Sequence, residues 1–457
     1  MAELAAIILA AGKGTRMKSK LPKVLHKLSG KPMLEHVLDA ADEAGADDQV
    51  VIVGFGSEKV TEFLGTRARV AVQTEQLGTG HAVLQARDLL GDEAGTALIL
   101  CGDTPLLEGE ELRKFYEKHL QSGAKVSVLT AIAPDPFGYG RILRDDCGQV
   151  TGIVEEKDAT PEQRKIQEIN TGIYCAEMPL LFDLLAHLKN NNAQGEYYLT
   201  DILAECLRRG GKVSGIRTND FDMVMGVNSR RQLAAAQKIM NARIVGRLMD
   251  EGVTVMDPDS TFVEKSVKVG RDTILYPFTW LEGSTEIGED CEVGPQVRFT
   301  NVKVGNASHI QFVYAHDCQV GNAVQMGPFD HLRPNTMIGD HVKMGNFVEV
   351  KNSQVGEGTK LPHLQYIGDS DIGSGVNMGC GTITVNYDGK VKHRTVIEDD
   401  AFVGCNSNLV APVRIGKGSY IAAGSTITKD VPDNALGVGR SRQVNIAGWA
   451  EKQRNQK

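Results

Sequence analysis

The sequence predicts an α/β region with a mostly parallel sheet, then one long connecting helix, then a parallel β-helix. Three observations lead to this fold class. Short apolar runs alternate with helical patterns through the first half, residues 229–251 form a helix-favouring stretch without proline, and an apolar residue then recurs every six positions. Strands alternating with helices favour a parallel sheet covered on both faces, and a short fixed period favours stacked coils.

The first strand ends in a glycine-rich turn that carries positive charge. An apolar run over residues 6–11 leads into Gly12 and Gly14, and three cations lie nearby: Lys13, Arg16 and Lys23. Glycines let several backbone N–H groups approach one anion, and the cations can neutralise a polyphosphate. An ordinary strand-to-helix turn with solvated basic residues is the alternative. The combination of strand, glycines and cations favours a phosphate site.

Further strands are predicted at Val50–Val53, Val70–Gln73, Ala97–Leu100 and Lys125–Ile132. Asp103 follows the third of these, so it lies at the carboxyl end of a strand, where ligands bind in such sheets. Mg²⁺ takes one or two protein oxygens together with substrate phosphates. Asp103 is therefore a predicted magnesium ligand, the alternative being an aspartate in a turn before Pro105.

The second half carries the six-residue period. Residues 229–251 are expected to form one helix that ends at Gly252, and the period begins after it. The apolar positions form three runs: Val263, Val269, Leu275, Leu281, Ile287, Val293 and Phe299; Val320, Met326, Leu332, Ile338, Met344 and Val350; Val403, Leu409, Ile415, Ile421 and Ile427. One inward side chain per short strand, often followed by glycine, is typical of a parallel β-helix. The register slips near 304–320 and 355–403, where loops are expected to leave the coil.

Composition excludes several classes of protein. With 457 residues, two or three domains are expected. A net charge of −8 without runs of like charge disfavours nucleic-acid binding. The eight cysteines include no C-x-x-C pair, which predicts neither a zinc site nor a disulfide framework and fits a reducing cytoplasm. The N-terminal apolar stretch is too short for a signal peptide, and no membrane partner is expected.

Several motifs resemble the sugar-1-phosphate nucleotidyltransferase family. They are Leu9–Lys23, Gln73–His81, Gly102–Pro105, Gly138–Ile142, Val154–Lys157, Glu168–Gly172 and Glu196–Asp201. With the hexapeptide half, the whole chain is similar to the bifunctional enzymes of bacterial cell-wall synthesis that combine N-acetylglucosamine-1-phosphate uridyltransferase with glucosamine-1-phosphate N-acetyltransferase. The resemblance implies a left-handed β-helix, a cytoplasmic homotrimer, and four segments: 1–228 for uridylyl transfer, a linker helix at 229–251, 252–437 for acetyl transfer, and a tail at 438–457.

For the first half, the resemblance implies a site for UTP, N-acetylglucosamine-1-phosphate and Mg²⁺. Catalysis would depend on charge neutralisation by Arg16 and Lys23, with Asp103 and Asn228 as metal ligands; Asn228 could equally cap the long helix. The remaining binding residues would be Leu9, Ala10, Ala11 and Gly12 along the nucleotide, Gln73, Gly78 and Thr79 on uracil and ribose, and Gly140, Glu155, Asn170 and Thr200 on the N-acetylated sugar.

For the second half, the resemblance implies that His363 is the base that removes a proton from the amine attacking acetyl-CoA. Histidine suits this role because it titrates at about pH 6.5. Glucosamine-1-phosphate would be held by Arg333, Lys351 and Lys392 on the phosphate and by Tyr366 and Asn377 on the sugar. Acetyl-CoA would be held by Cys380, Asn386, Tyr387, Cys405, Ala423 and Arg440. Glu349 is expected to orient His363.

Three residues depart from the family pattern: Cys405 where serine is frequent, Cys380 where alanine is usual, and Gln365 in place of a smaller residue. The first two lie in the expected acetyl-CoA groove, so thiol sensitivity is an open question there. Two rival functions remain at this point. One is a different sugar nucleotidyltransferase whose β-helix serves only assembly, and the other is a non-catalytic regulatory or scaffold protein.

Overall fold

The computed structural model describes residues 3–91 and 95–456. Contacts divide the chain into two compact units, 1–240 and 241–457, with the division inside a long helix. The helices are α1 (Met33–Ala44), α2 (Ser57–Leu64), α3 (Thr79–Leu84), α4 (Arg87–Leu90), α5 (Gly109–Ser122), α6 (Met178–Ala186), α7 (Asp201–Arg208), α8 (Arg230–Asp250) and α9 (Trp449–Arg454). In the described part of the chain, no helix is long and apolar enough to cross a membrane.

The first unit is built around one mixed sheet with the strand order β11-β7-β10-β6-β1-β4-β5, to which β8 and β9 are appended. The strands are β1 (Leu4–Ala10), β2 (Lys27–Leu28), β3 (Lys31–Pro32), β4 (Asp48–Val53), β5 (Arg69–Val72), β6 (Thr96–Cys101), β7 (Val126–Ile132), β8 (Arg141–Arg144), β9 (Val150–Val154), β10 (Glu168–Glu177) and β11 (Val213–Arg217). The four strands expected from the sequence are all present.

The central strand β1 explains why this sheet is covered on both faces. Successive side chains of a strand point to opposite faces. Ala6 and Ile8 pack into one apolar core, and Ala5 and Ile7 pack into the other. β1 pairs in parallel with β4 and β6, so their carboxyl ends lie at one edge of the sheet. The long strand β10, which the sequence did not predict, runs antiparallel between β6 and β7.

The long helix α8 begins with a side-chain cap. The Gln232 backbone N–H donates to Ser229 Oγ (3.3 Å), and Gln232 Oε1 accepts from the Asn228 N–H (2.9 Å). This reciprocal arrangement is a form of capping box. The cap is therefore Ser229 rather than Asn228, and the Asn228 side chain is available for other contacts.

The second unit is a coil of short parallel strands in which the strands of one turn pair with those of the next. The strands are β12 (Thr254–Val255), β13 (Phe262–Val263), β14 (Lys268–Val269), β15 (Ile274–Leu275), β16 (Thr279–Glu282), β17 (Glu286–Ile287), β18 (Glu292–Val293), β19 (Val297–Val304), β20 (His309–Ile310), β21 (Val313–Val320), β22 (Gln325–Met326), β23 (Asp330–Leu332), β24 (Thr336–Ile338), β25 (Lys343–Lys351), β26 (Gln354–Val355), β27 (Lys360–Gly368), β28 (Ser370–Ile372), β29 (Asn377–Met378), β30 (Ile383–Val385), β31 (Thr395–Ile397), β32 (Phe402–Val403), β33 (Asn408–Val410), β34 (Val413–Ile415), β35 (Tyr420–Ile421), β36 (Thr426–Ile427) and β37 (Leu436–Gly437).

The apolar residues of the six-residue period form the interior of this coil. Every one of them is buried except Val269, which is partly exposed. Burying a side chain of this size stabilises a fold by roughly 1.5–3 kcal/mol, so the repeated position is the main source of stability for each turn. The period therefore predicted the interior correctly.

The two register slips have different causes. Near 304–320 the prediction of a loop is wrong: Val304 pairs with Val320 directly, so the coil is only shortened there. In the second slip Ile372 pairs with Ile397, which confirms that extra residues leave the coil. These residues form a small hairpin closed by a bridge between Tyr387 and Lys392.

One corner of the coil carries bulky side chains in an unfavourable conformation. Phe312, Phe329 and Phe347 have φ values of 52°, 70° and 61°. Positive φ is costly for large side chains. The Phe329 and Phe347 rings stack with their centroids 5.2 Å apart, and the Phe312 ring is tilted against Phe329 with its centroid at 5.3 Å. Phe329 and Phe347 remain 54% and 52% exposed, so this corner presents a continuous aromatic column to its surroundings.

Candidate functional site

A cavity of about 280 Å³ opens where β1 and β6 end. Residues from the glycine turn, the Gln73–Thr79 segment and the end of β6 meet around it. The lining consists of Leu9, Ala10, Ala11, Gly12, Lys23, Val24, Gln73, Gln76, Gly78, Thr79, Ala82, Cys101, Asp103 and Glu196. The structure thus gathers the predicted nucleotide residues and Asp103 around a single cavity, at the sheet edge expected for a ligand.

Lys23 is the electrostatic centre of this cavity. Its ammonium forms an ion pair with Asp103 and donates a hydrogen bond to Asn228 Oδ1 (3.0 Å). The carboxylate and the amide oxygen, from residues far apart in sequence, therefore converge on one cation. Hard oxygen ligands of this kind are those that Mg²⁺ prefers. Within residues 3–91 and 95–456, no cluster of three His, Cys, Asp or Glu side chains could hold a metal ion.

Three of the predicted sugar residues also meet. A Cβ on Gly140 would lie 3.4 Å from Asn170 Cβ and 3.4 Å from Glu155 Oε1. Burial raises the pKa of Glu155, and the carboxylates of Asp201 and Asp158 raise it further. Thr200 directly precedes Asp201, and its buried hydroxyl lies close enough to Glu155 to oppose part of this rise in pKa. These groups offer polar atoms suited to sugar hydroxyls.

An ion pair holds the loop that carries Gly140. Arg141 is almost fully buried, and its Nη2 lies 2.7 Å from Glu156 Oε2. The same carboxylate accepts from the Gly138 N–H (3.2 Å). The pair therefore ties the Gly138–Gly140 turn to the end of β9, where Glu155 lies. Sequence reasoning missed this contact, although both residues belong to the recognised motifs.

Two residues of the recognised motifs, Arg16 and His81, are not part of the lining of this cavity. Arg16 is exposed on a 3-10 turn at Thr15–Met17. His81 is bonded to Gln73 and Gln85, which is a structural arrangement. Conversely, Gln76 lines the cavity and donates to the Ala11 carbonyl (3.0 Å), although no role was predicted for it. Its position inside the Gln73–His81 motif was the available signal.

In the second unit, the predicted base and part of the predicted acetyl-CoA site share one corner of the coil. Lys360 pairs with Asn377 and Tyr366 with Ile383, which places His363 in register with Cys380. The Gly381 N–H donates to the His363 carbonyl (3.3 Å), in agreement with that register. The pairing of the next strands places Cys405 in register with Cys380, and Ala423 in register with Cys405, on successive turns. Adjacent strands lie about 4.8 Å apart, so this corner column is a continuous edge.

A cluster of cations lies beside that edge. A contact with the Lys392 ammonium lowers the pKa of Lys351, and burial and the charge of Arg333 lower it further. Asn386 Nδ2 is 3.5 Å from the Tyr366 hydroxyl and also donates to Asp369. Cations held this close together are typical of a site for an anion, because a bound phosphate relieves their repulsion. The structure thus unites Arg333, Lys351, Lys392, Tyr366 and Asn386.

The surroundings of the predicted base revise one expectation and place Gln365. Glu349 is bonded to Arg333 (Nη1–Oε1 3.0 Å) and pairs in register with Tyr366, so it does not orient His363. Gln365 points into the coil, where its Nε2 donates to the carbonyls of Met378 (2.7 Å) and Gly379 (3.0 Å). The larger side chain at 365 therefore fastens the His363 strand to the turn that carries Cys380.

The remaining predicted residues of the second half lie around these groups. Asn377 is partly buried, in register with Lys360 and Phe402. Tyr387 is 57% exposed on the extruded hairpin, and its hydroxyl donates to the Gly389 carbonyl. Arg440 is exposed and follows Gly439, whose carbonyl accepts from the Thr426 N–H (2.9 Å). Arg440 is therefore near the last coil but not in the corner column.

Comparison with known proteins covers both units. The nucleotidyl transferase family matches residues 5–223, and the bacterial transferase hexapeptide family, with six repeats, matches residues 394–429. The protein named bifunctional protein GlmU from Geobacillus sp. (strain WCH70) is 52% identical over 447 residues, which cover 98% of this chain and 97% of that protein. The chain belongs to the bifunctional GlmU family.

Other members agree along the same length. The GlmU protein of Caldanaerobacter subterraneus subsp. tengcongensis is 52% identical over 99% of this chain and 98% of its own length. That of Heliobacterium modesticaldum is 53% identical over 96% of this chain and 95% of its own length. Membership confirms the predicted fold class, with the β-helix left-handed. It also confirms the predicted enzyme of UDP-N-acetylglucosamine synthesis, a uridyltransferase and a glucosamine-1-phosphate N-acetyltransferase in one transferase chain.

Proposed function

We propose that the first cavity binds UTP and N-acetylglucosamine-1-phosphate, with the residue roles predicted above. The convergence of Asp103 and Asn228 on the Lys23 ammonium carries this proposal, because a carboxylate oxygen and an amide oxygen meet there around one positive charge. Asp103 and Asn228 would hold Mg²⁺, which supplies charge neutralisation to the triphosphate when bound. Lys23 and Arg16 would then neutralise phosphate oxygens, and Gly140, Glu155, Asn170 and Thr200 would orient the sugar.

In this site the chain acts by alignment and charge. A phosphate oxygen of N-acetylglucosamine-1-phosphate attacks the α-phosphorus of UTP, and pyrophosphate leaves. The attacking oxygen is already anionic, so no protein base is required. The residues around the cavity hold the attacking oxygen and the leaving group in line and stabilise the developing charge.

For the second unit we propose acetyl transfer at the corner column of His363, Cys380, Cys405 and Ala423. The neighbouring Arg333, Lys351 and Lys392 would hold the phosphate of glucosamine-1-phosphate. Tyr366 and Asn377 would contact the sugar, and Asn386, Tyr387 and Arg440 would contact acetyl-CoA. The cation cluster beside an exposed histidine supports this assignment.

The proposed chemistry at this column balances without an added group. The amine nitrogen of glucosamine-1-phosphate attacks the thioester carbonyl carbon, and His363 accepts the proton that this nitrogen loses. The carbon–sulfur bond then breaks, and the CoA thiolate leaves. A side chain that can carry this proton near neutral pH suits the step.

A homotrimer is the proposed assembly, with the acetyl site shared between neighbouring coils. The aromatic column of Phe312, Phe329 and Phe347 supports self-association, because strained and exposed rings of this kind are stabilised when another surface covers them. Phe329→Asp should yield monomers in analytical ultracentrifugation. A trimer that persists in this variant would remove the support from this column.

The segments 1–228, 229–251, 252–437 and 438–457 remain the proposed division of labour. The proposed compartment is a reducing cytoplasm, since all eight cysteines are free thiols.

One experiment tests both activities together. The purified chain is supplied with glucosamine-1-phosphate, acetyl-CoA, UTP and Mg²⁺, and the products are separated and weighed by mass spectrometry. UDP-N-acetylglucosamine and pyrophosphate are expected. Replacement of UTP by GTP, ATP or dTTP should give little product, and efficient use of any of these would favour another sugar nucleotidyltransferase. An inert protein would favour a scaffold.

A further inference from the structure

Two cysteines lie next to each other on adjacent coils. Cys380 follows β29 and Cys405 follows β32. Met378 of β29 pairs with Val403 of β32, so the two cysteines, each two residues further on, stand in register. The Asn406 N–H donates to the Cys380 carbonyl (2.7 Å), so the two turns remain hydrogen-bonded at the cysteines themselves.

The two cysteines occupy equivalent corners of the coil. The residue after each adopts the left-handed conformation, with φ of 73° at Gly381 and 55° at Asn406. Equivalent backbone conformations make the two Cα–Cβ bonds nearly parallel. Neighbouring turns lie about 4.8 Å apart, which falls within the Cα separation of roughly 4.4–6.8 Å that a disulfide spans. Parallel bonds keep the Cβ atoms at about the same spacing, slightly above the roughly 3.5–4.5 Å of a disulfide, so bond formation must draw the two side chains together. Both side chains are reachable, Cys405 being exposed and Cys380 partly exposed.

The other cysteines differ in accessibility or in surroundings. Cys175, Cys206, Cys291 and Cys318 are buried. Cys101 lines the first cavity, but burial raises the pKa of its thiol to about 12, which makes it unreactive as a thiolate. Cys147 is exposed, on the turn between β8 and β9 of the first unit. Cys380 and Cys405 therefore combine exposure with an adjacent thiol.

We propose that Cys380 and Cys405 form a redox-sensitive dithiol whose oxidation closes the acetyl-CoA groove. The inference rests on the proposed function, which places acetyl-CoA along the same corner column. The oxidant is a low-molecular-weight disulfide. One cysteine thiolate attacks it, a mixed disulfide forms and one thiol is released. The second cysteine then attacks the mixed disulfide, the Cys380–Cys405 bond forms, and a second thiol leaves. Both protons of the protein thiols end on the two released thiols.

The expected consequence is loss of one activity only. His363 is one coil from Cys380 and Ala423 is one coil from Cys405, so the new bond would lie in the middle of the proposed groove. Drawing the two side chains together there removes room for the thioester arm. The first cavity belongs to a separate compact unit and contains no comparable pair, so uridylyl transfer should continue.

The test uses the full chain and oxidised glutathione. Both activities are assayed before and after treatment, and after reduction with dithiothreitol. Acetyl transfer should fall by roughly tenfold or more and recover on reduction, while uridylyl transfer changes by less than about twofold. Trypsin should release residues 361–390 and 395–414 as one linked species, lighter by two hydrogen atoms than the two peptides. Saturating acetyl-CoA should slow the linkage.

Matched variants locate the effect. Cys405→Ser should lose the reversible sensitivity when compared with its own reduced activity, and Cys147→Ser should keep it. Absence of the linked peptides under oxidation, or equal sensitivity in Cys405→Ser, would overturn the dithiol. Linked peptides with undiminished acetyl-CoA binding would overturn its place in the groove. The product assay on reduced protein tests the proposed function separately, so the two failures remain distinguishable.

Discussion

The two units of this chain build their sites in different ways. In the first unit, side chains from distant segments converge on one cavity, and Lys23 reaches Asp103 and Asn228 across 80 and 205 positions of sequence. In the second unit, His363, Cys380, Cys405 and Ala423 are brought together by a repeated strand pairing. A sheet with loops creates an enclosure, whereas a coil creates an edge. In the proposed trimer, a second copy of the chain would supply a facing wall for this edge.

The largest expected effect separates the two units by their dependence on a metal ligand. Asp103→Ala should reduce uridylyl transfer by about a thousandfold, because the site loses the carboxylate that would hold Mg²⁺ against the triphosphate. Acetyl transfer should stay near normal. Both rates are measured on the same preparation, with the exposed Asp146→Ala as control. Equal loss of both activities in folded protein would contradict the independence of the units.

The complementary change removes the proposed base from the corner column of the second unit. His363→Asn should lower acetyl transfer by about a hundredfold to a thousandfold, as expected for removal of a general base. Uridylyl transfer should be unaffected. His341→Asn, at an exposed position elsewhere in the second unit, serves as the control. Retained acetyl transfer in His363→Asn would move the base to another residue.

A smaller effect is expected from the ion pair that supports the sugar loop. Glu156→Gln leaves the buried Arg141 without its charge partner, which should lower the free energy of unfolding by roughly 2 kcal/mol. The KM for N-acetylglucosamine-1-phosphate should rise about tenfold while the KM for UTP changes little. Urea denaturation and steady-state kinetics measure the two quantities. Equal rises in both KM values would show a general loss of structure instead of a role in positioning the loop.

The smallest effect concerns pH. Lys351 has a lowered pKa because Lys392 contacts it, and only the ammonium form attracts phosphate. Affinity for glucosamine-1-phosphate at the acetyl site should therefore fall as pH rises through the lowered pKa of Lys351. Lys392→Met should move that fall to higher pH, since it removes the first cause of the shift. Titration calorimetry between neutral and alkaline pH, on protein with Asp103→Ala to silence the other site, measures it. An unmoved profile would exclude Lys351 as the titrating group.

The contrast between units also explains what the sequence could predict. The coil interior was predictable because one side chain per six residues must be buried, and only Val269 is partly exposed among those positions. The glycine turn and Asp103 were predictable because strand ends share an edge. The Arg141–Glu156 pair and the antiparallel strand β10 depend on contacts between distant segments, which periodicity does not encode. The shortened coil at 304–320 resembled a loop because both interrupt the period.

The extruded hairpin near Tyr387 and Lys392 shows that the β-helix tolerates a turn of different length. The turns before and after it remain paired, Ile372 with Ile397, although many more residues separate them than elsewhere in the coil. Each turn of the β-helix contacts only the turns beside it, so the length of one turn can change without disturbing the others. Duplication of the eighteen residues that follow Val263, up to Leu281, should therefore yield a longer scaffold with its chemistry intact.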